Sequence, residues 1–269
     1  MTDCPKVYTP KSKSCSGCPL QKICSQKKQE RKEIKLPDNL KILLVMSGKG
    51  GVGKSTMTVN IAKEMSKTKK VCVLDLDISG PSLPRITSTK DIVTKDLPVK
   101  ISENFFCASS WYLNTPLIEN LEDKYKVIEQ LFDVDFSTFD YLVMDTPPGI
   151  GDEHLFLRMF PASKIDVILV TSNRIISLND FKRQLNFIKK VNWNIWGAII
   201  NMSGFFCSCG KEFGTENEET LQKYFSEEGI SLLGKIPLNQ KISKNSDFGI
   251  IDPPSEIKTI VASFLLKKE

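Results

Sequence analysis

The sequence lacks any long apolar run. Its longest apolar strings are on the order of Ile42–Met46 and Val167–Val170, far short of the roughly 20 apolar residues that a membrane helix needs. The N-terminal residues also lack the apolar segment of a signal peptide. These absences argue against a secreted or membrane-spanning protein and favour a cytoplasmic one.

Aromatic residues are scarce in the first 37 residues, where Tyr8 is the only one. This tail holds nine Lys and Arg against three Asp and Glu, a net charge of +6, whereas the remaining 232 residues carry a net charge of −1. A basic tail can bind nucleic acid or acidic lipid, but nothing in it supports stacking of bases. We therefore expect a solvated tail, with neither nucleic acid nor membrane as a partner.

Strands and helices alternate from Leu40 onward. Short apolar runs predict buried strands, and apolar residues at helical spacing predict helices. The predicted strands are Lys41–Met46, Val71–Asp77, Phe105–Ala108, Tyr141–Asp145, Val167–Thr171 and Ala198–Met202; the predicted helices are Ser55–Lys67, Leu117–Phe132, Leu178–Val191, Glu216–Glu227 and Ser255–Lys267. This order indicates an α/β fold, a mostly parallel sheet with helices on both faces that binds ligands at the carboxyl ends of its strands. We expect residues 78–104 to be irregular, and two domains, 1–37 and 38–269.

A phosphate-binding loop lies between the first predicted strand and helix. Gly48–Ser55 satisfies the G-x-x-x-x-G-K-[ST] pattern, in which glycines let backbone N–H groups approach phosphate oxygens and the helix N-terminus adds a favourable dipole. We expect Lys54 to reach the β- and γ-phosphates and the Ser55 hydroxyl to ligate Mg²⁺. The predicted nucleotide-binding residues here are Gly48, Lys49, Gly50, Gly51, Val52, Gly53, Lys54, Ser55 and Thr56.

The additional lysine, Lys49, gives the loop the form G-K-G-G-x-G-K-S. This stretch resembles the deviant P-loop ATPases, which include MinD, the ParA partition proteins and the nitrogenase iron protein. In that group the extra lysine reaches the partner's nucleotide across a dimer interface, so the resemblance implies a dimer. It also implies that Asp77 orients or activates the attacking water, which makes Lys49, Lys54 and Asp77 the expected catalytic residues.

A second phosphate-site motif is the apolar strand Tyr141–Asp145, which is followed by Thr-Pro-Pro-Gly. Downstream of a phosphate-binding loop, this pattern predicts that Asp145 holds Mg²⁺ through water and that 146–149 senses the γ-phosphate. Asp75 and Asp77 are two apart on the predicted strand Val71–Asp77; we expect them to face opposite ways and to have separate roles, so no paired-carboxylate acid–base site is predicted.

Adenine is the favoured base, because the chain contains no Asn-Lys dipeptide and hence no N-K-x-D guanine signature. The nucleotide is therefore predicted to be ATP. The resemblance implies base contacts at Asn201 and Pro237, although both could be ordinary turn residues.

Four of the eight cysteines lie in the tail, at Cys4, Cys15, Cys18 and Cys24. Four thiolates that include one C-x-x-C can hold zinc or an iron–sulfur cluster, and the spacing does not choose between them. Cys72 and Cys107 lie in apolar runs, where we expect them to act as small core residues.

Two longer matches resemble the Mrp/ApbC branch of iron–sulfur scaffold and carrier ATPases. They are D-T-P-P-G-x-x-D-E-H from Asp145 to His154, and Asn201–Phe205 with the cysteines that follow. Within that branch, a four-cysteine extension marks the larger scaffold subunit of cytosolic iron–sulfur assembly. The resemblance therefore implies a 4Fe-4S cluster on the tail cysteines and a cytosolic, or also nuclear, role.

The resemblance also implies partners. They are a second copy in a homodimer or a paralogous scaffold ATPase in a heterotetramer, late assembly factors, and apoproteins that receive 4Fe-4S clusters. The implied activity is a slow, switching ATPase whose hydrolysis gates cluster transfer. We expect the sole histidine, His154, to be structural rather than a catalytic base.

Cys207 and Cys209 form a C-x-C where the family has C-x-x-C. Residues two apart in an extended strand point the same way, so both sulfurs could face a two-fold axis. The family resemblance implies a second 4Fe-4S cluster shared with a partner subunit here, while zinc or idle thiols are the alternatives.

Two other functions are compatible with these motifs. One is a MinD- or ParA-like switch that binds membrane or DNA, with the apolar face of Ser255–Lys267 as an anchor unless that face packs in the core. The other is an ATP-driven redox protein like the nitrogenase iron protein.

Overall fold

The computed structural model describes residues 34–94, 96–113, 120–173, 176–207, 209, 212–214 and 218–268. The contacts within the chain divide it between Lys35 and Leu36. The tail cysteines Cys4, Cys15, Cys18 and Cys24 lie outside the described residues, so the cluster proposed for them stays a prediction, as do the domain limits 1–37 and 38–269.

An eight-stranded sheet forms the body of the protein. Its strands are β1 Lys41–Met46, β2 Val71–Asp75, β3 Val99–Ser102, β4 Phe105–Ser109, β5 Tyr141–Asp145, β6 Ile165–Ser172, β7 Asn194–Asn201 and β10 Leu232–Ile236, while β8 Gly204–Phe206 and β9 Glu212–Gly214 form a separate pair. The order across the large sheet is β10-β7-β6-β1-β5-β2-β4-β3. All neighbouring pairs are parallel except β3 and β4, which pair antiparallel at one edge. The predicted mostly parallel α/β sheet is confirmed.

Helices follow most strands. The described helices are α1 Lys54–Met65, α2 Leu83–Ile86, α3 Leu121–Phe132, α4 Asp152–Leu157, α5 Ile176–Val191, α6 Glu218–Glu227, α7 Gln240–Asp247 and α8 Ser255–Leu266. Every residue of β2, β5 and β6 is buried, as expected for parallel strands that are covered on both faces. The carboxyl ends of β1, β2 and β5 therefore lie together at one edge of the sheet, above its buried centre.

The apolar face of α8 packs in the core. Ile257, Ile260, Val261 and Phe264 are all buried, and the Phe264 ring lies edge-on to Trp196 with 4.9 Å between ring centres. The face that could have anchored the chain to a membrane is thus used for packing. No helix in the described part of the chain is both long and apolar enough to cross a membrane.

Some predicted boundaries were wrong. β2 ends at Asp75 instead of Asp77, because the Asp75 carboxylate accepts the backbone N–H of Asp77 and turns the chain out of the sheet. Residues 78–104 are not wholly irregular, since they contain α2 and β3. The sequence analysis does not predict the short elements α4, α7 and β10.

Candidate functional site

The phosphate-binding loop occupies 47–53, directly between β1 and α1. Gly51 and Gly53 have φ of 78° and 84°, a region that only glycine adopts readily. A Cβ on Gly48 would come within 2.6 Å of the backbone of Asp180 in α5. The glycines are therefore required by backbone geometry and by close packing of α5 against the loop.

Lys54 and Asp145 form a buried ion pair at the centre of the site. The Lys54 Nζ lies 2.5 Å from Asp145 Oδ1, and the two side chains are 6% and 0% exposed. The Thr58 hydroxyl donates to the same carboxylate oxygen at 3.0 Å, and Ser55 Oγ lies 3.4 Å from Nζ. The two groups that the motifs assign to phosphate and to Mg²⁺ are thus brought together.

The other oxygen of Asp145, Oδ2, is buried and has no hydrogen-bond partner among the described residues. A buried carboxylate oxygen without a partner is costly unless a ligand satisfies it. Carboxylate and hydroxyl oxygens are the ligands that Mg²⁺ prefers, with water in its remaining positions. Asp145 and Ser55 therefore fit the Mg²⁺ role predicted for them.

Hydrogen bonds tie the segment 146–151 to the end of β1, to the phosphate-binding loop and to α5. Gly149 N–H donates to the Ser47 carbonyl at 2.8 Å, and the Thr146 hydroxyl donates to the Val45 carbonyl at 3.1 Å. From α5, the buried Gln184 amide donates to the Gly149 carbonyl at 3.2 Å. A displacement of either loop therefore strains the other.

His154 holds the next turn of this segment. Its Nδ1 accepts the Gly151 N–H at 3.1 Å, and the ring is fully buried beside Phe187. Burial, with Lys54 and Lys124 nearby, lowers the pKa of His154 to about 4. The ring is therefore neutral at physiological pH, in a position that suits the structural role expected for it.

Asp77 is half-buried. Burial raises the pKa of its carboxyl; Lys54 opposes this effect, and Asp145 and Glu153 add to it. The charges of the Lys54–Asp145 ion pair therefore act on the Asp77 carboxyl. Its catalytic role remains a prediction, as does the intersubunit role of the half-buried Lys49.

Asp75 is not separate from this site, contrary to expectation. Side chains two apart in a strand share a face, and β2 ends between the two aspartates. Burial and the Asp145 charge raise the pKa of Asp75 well above its ordinary value, and the Asp77 N–H donates to its carboxylate at 3.2 Å.

Sequence reasoning also missed three buried polar residues around the site: Thr58, Glu153 and Gln184. Glu153, 2% exposed, pairs with Lys124 Nζ at 2.7 Å. A signal existed for Thr58, which lies one helical turn after Lys54 and so on the same face of α1. No local pattern marks Gln184, which is brought to the site by the packing of α5.

Asn201 lies at the end of β7, against the phosphate-binding loop. Its amide donates to the Val52 carbonyl at 2.8 Å, and its side chain fills the space where a Cβ on Gly53 would lie. Pro237 directly follows the neighbouring strand β10 and is half-buried, while the Thr56 hydroxyl accepts from Ser246 of α7 at 3.4 Å. The base contacts predicted for Asn201 and Pro237 remain predictions.

The last two cysteines lie on a small hairpin. β8 Gly204–Phe206 and β9 Glu212–Gly214 pair antiparallel, and the structure joins Cys207 and Cys209, in the segment between them, as a disulfide. The described residues contain no cluster of three or more His, Cys, Asp or Glu that could hold a metal. Within the described part of the chain, the hairpin thus supplies two sulfurs and no further ligand.

The two remaining cysteines, Cys72 and Cys107, are free and fully buried. Burial raises the pKa of both thiols well above the ordinary range, which makes them poor nucleophiles. The prediction that they act as core residues is confirmed.

Similar proteins cover nearly the whole chain. A protein from Brugia malayi named cytosolic Fe-S cluster assembly factor NUBP1 homolog is 33% identical, over 92% of this chain and 89% of its own length. A Nubp1 homolog from Drosophila sechellia is 34% identical, over 97% of this chain and 94% of its own. The names of these relatives agree with the predicted cytosolic location.

Solved structures share the fold. A nucleotide-binding protein from Archaeoglobus fulgidus, solved with ADP, superposes with a TM-score of 0.68 at 28% identity, covering 80% of this chain and 88% of its own. MinD from Pyrococcus horikoshii, solved with Mg-ADP, gives 0.62 at 22% identity, covering 84% and 96%. Residues 39–265 also match the family model described as ParA, NUBPL iron-transfer P-loop NTPase. The chain therefore belongs to this family of iron-transfer P-loop NTPases.

Proposed function

We propose that this protein is an ATP-dependent scaffold and carrier that assembles 4Fe-4S clusters and transfers them to cytosolic and nuclear apoproteins. The observation that carries the proposal is the direct connection between the phosphate-binding loop and the cysteine hairpin. The names of the relatives, which cover most of this chain, point to the same function.

The connection is made by a short run of backbone. Asn201 donates to the Val52 carbonyl of the phosphate-binding loop at 2.8 Å. Two residues later, Ser203 is held by its N–H to the Ile236 carbonyl at 3.1 Å and by its carbonyl to the Asn173 amide at 3.3 Å. The hairpin starts at the next residue. A shift of the phosphate-binding loop therefore acts, through Asn201 and Ser203, on the start of the hairpin that carries the cysteines.

On the nucleotide side, the proposed roles follow from the charges. Lys54 neutralises phosphate charge, and Asp145 and Ser55 hold the Mg²⁺, which supplies further neutralisation of the phosphates when bound. Asp77 orients the attacking water, and Lys49 reaches the nucleotide of a partner subunit. Hydrolysis is slow, because it serves to switch the state of the hairpin rather than to turn over substrate.

On the cysteine side, Cys207 and Cys209 in their reduced form hold the cargo cluster. A 4Fe-4S cluster needs four ligands, and this hairpin supplies two, so a second copy or a paralogous ATPase completes the set. The tail cysteines Cys4, Cys15, Cys18 and Cys24 hold a separate, more tightly bound cluster. Late assembly factors and apoproteins are the recipients.

The test is anaerobic purification followed by assay of iron, acid-labile sulfide and zinc. We expect about six iron atoms per chain in the intact protein, four in the tail and half of a shared four-iron cluster. Cys207→Ala/Cys209→Ala should retain about four. Cys72→Ala is the matched control, since it removes a thiol from the core and should retain the full amount.

The gating part of the proposal is tested separately, by cluster transfer to an apo 4Fe-4S acceptor with and without Mg-ATP. Lys54→Ala, assayed under conditions where circular dichroism shows it folded, should load clusters normally but lose the effect of ATP on transfer. Unchanged ATP dependence in this variant would refute gating. Zinc without sulfide, even after reconstitution with iron and sulfide, would refute the scaffold function itself.

A further inference from the structure

The loop between β2 and α2 is held by one carboxylate that the proposed mechanism does not use. Asp75 Oδ1 accepts the N–H of Asp77 at 3.2 Å. Its Oδ2 accepts the N–H groups of Ser82 and Leu83, each at 3.1 Å. One side chain thus fixes the start and the end of the loop that carries Asp77.

Within the loop, Leu76 and Ile78 are buried, and the Leu76 N–H donates to the Asp145 carbonyl at 2.8 Å. Gly80 N–H donates to the Asp77 carbonyl at 3.1 Å and closes a turn. The charges of Lys54, Asp145 and Glu153 all act on the pKa of the Asp77 carboxyl. The position of that carboxyl therefore depends on where the two ends of the loop are held.

The chemistry of Asp75 suits the task of holding the two ends of this loop. The side chain is fully buried, and burying a carboxylate is costly unless hydrogen bonds satisfy it. Both oxygens of the Asp75 carboxyl accept N–H groups here, whereas an amide of the same shape replaces one acceptor with a donor. Three converging N–H groups therefore favour Asp over Asn at this position.

We propose that Asp75 is a positioning residue for nucleotide hydrolysis, which holds the loop 76–83 so that the Asp77 carboxyl meets the attacking water. The inference rests on the catalytic role proposed for Asp77. Its hydrogen-bond partners, Asp77, Ser82, Leu83 and Ser109, include none of the residues assigned to nucleotide binding, so we expect Asp75 to act on hydrolysis rather than on binding.

The experiment compares ATP hydrolysis and ATP binding in Asp75→Asn, Asp77→Asn and the double variant. Asp75→Asn should lower kcat about 10- to 100-fold, since a misplacement of about 1 Å can cost that much. Its Kd for ATP should change less than about threefold, because the loop residues that bind phosphate are untouched. The double variant should be no slower than Asp77→Asn alone, because Asp75 acts through Asp77.

Asp166→Asn is the matched control for loss of a buried carboxylate. Asp166 is 6% exposed and accepts from Lys268 at 2.7 Å, but it lies near the start of β6, at the opposite edge of the sheet. This variant should lose stability without a loss of kcat.

The outcomes distinguish the positioning role of Asp75 from the catalytic role of Asp77. A slow Asp77→Asn with a fully active, folded Asp75→Asn overturns the positioning role alone, and so does a double variant in which the two losses multiply. An unchanged Asp77→Asn overturns the proposed role of Asp77 and, with it, this inference.

Should Asp75→Asn fail to fold, amide hydrogen exchange in the unmodified protein decides. The N–H groups of Asp77, Ser82 and Leu83 should then exchange slowly and together. Exchange of all three as fast as in an unstructured chain would overturn the proposal.

Discussion

Replacement of Lys54 by methionine should destabilise the nucleotide-free protein more than any change to a surface ion pair. Methionine keeps most of the aliphatic stem and removes the charge. Among the described residues, the fully buried Asp145 carboxylate then retains only the Thr58 hydroxyl, at 3.0 Å, as a partner. The variant therefore isolates the cost of leaving one buried carboxylate without its counter-ion.

The magnitude follows from the geometry. At 2.5 Å, two unit charges attract by about 7 kcal/mol at an effective dielectric constant of about 20. Part of this attraction offsets the desolvation of both groups, so removal of one partner from a buried pair typically costs about 3–5 kcal/mol. We expect a loss of free energy of unfolding in that range for Lys54→Met.

The assay is urea unfolding without nucleotide, followed by circular dichroism. Lys189→Met is the matched control, because Lys189 lies 2.6 Å from Glu228 in a pair that is 49% and 32% exposed. It should cost no more than about 1 kcal/mol. Lys54→Met/Asp145→Asn should recover much of the loss. Equal effects of Lys54→Met and Lys189→Met would refute the reasoning.

Two further predictions concern the same site. The free energy of unfolding should fall by about 2 kcal/mol between pH 7 and pH 5. The pKa of His154 is about 4 in the folded protein and about 6.5 in the unfolded chain, so protons favour the unfolded chain in this window. In urea titrations, His154→Asn should remove this part of the pH dependence, and an unchanged pH dependence would contradict the prediction. Gly53→Ala should cost about 2–3 kcal/mol, from its φ of 84° and from the displaced Asn201 amide. Gly51→Ala, with φ of 78° and open space around it, should cost only about 1–2 kcal/mol. Equal losses of stability in Gly53→Ala and Gly51→Ala would show that displacing the Asn201 amide costs nothing.

The parts of the site that follow one another in the chain could be predicted from the sequence. Gly48–Ser55 is continuous, and its motif fixes a strand, a loop and a helix by backbone geometry alone. Asp145 could be placed because an apolar strand ending in Asp is a local pattern. The phosphate-binding loop and Asp145 both lie at the carboxyl edge of the sheet, as predicted.

The parts that depend on packing could not be predicted. Gln184 reaches the Gly149 carbonyl only because α5 lies against the site, and no spacing in the sequence records that contact. The loop-holding role of Asp75 was hidden for another reason. The three N–H groups that define it come from up to eight residues further along the chain, and their convergence appears only once β2 has ended at Asp75.

The ion pair explains why two charged groups are stable at the buried centre of the site. Lys54 Nζ and Asp145 Oδ1 lie 2.5 Å apart, so each group offsets part of the cost of burying the other. Because the Asp145 carbonyl also accepts the Leu76 N–H at 2.8 Å, the end of β5 is fastened to the loop that carries Asp77. A movement of the Asp145 backbone would therefore act directly on the loop that carries Asp77, without a relay through the core.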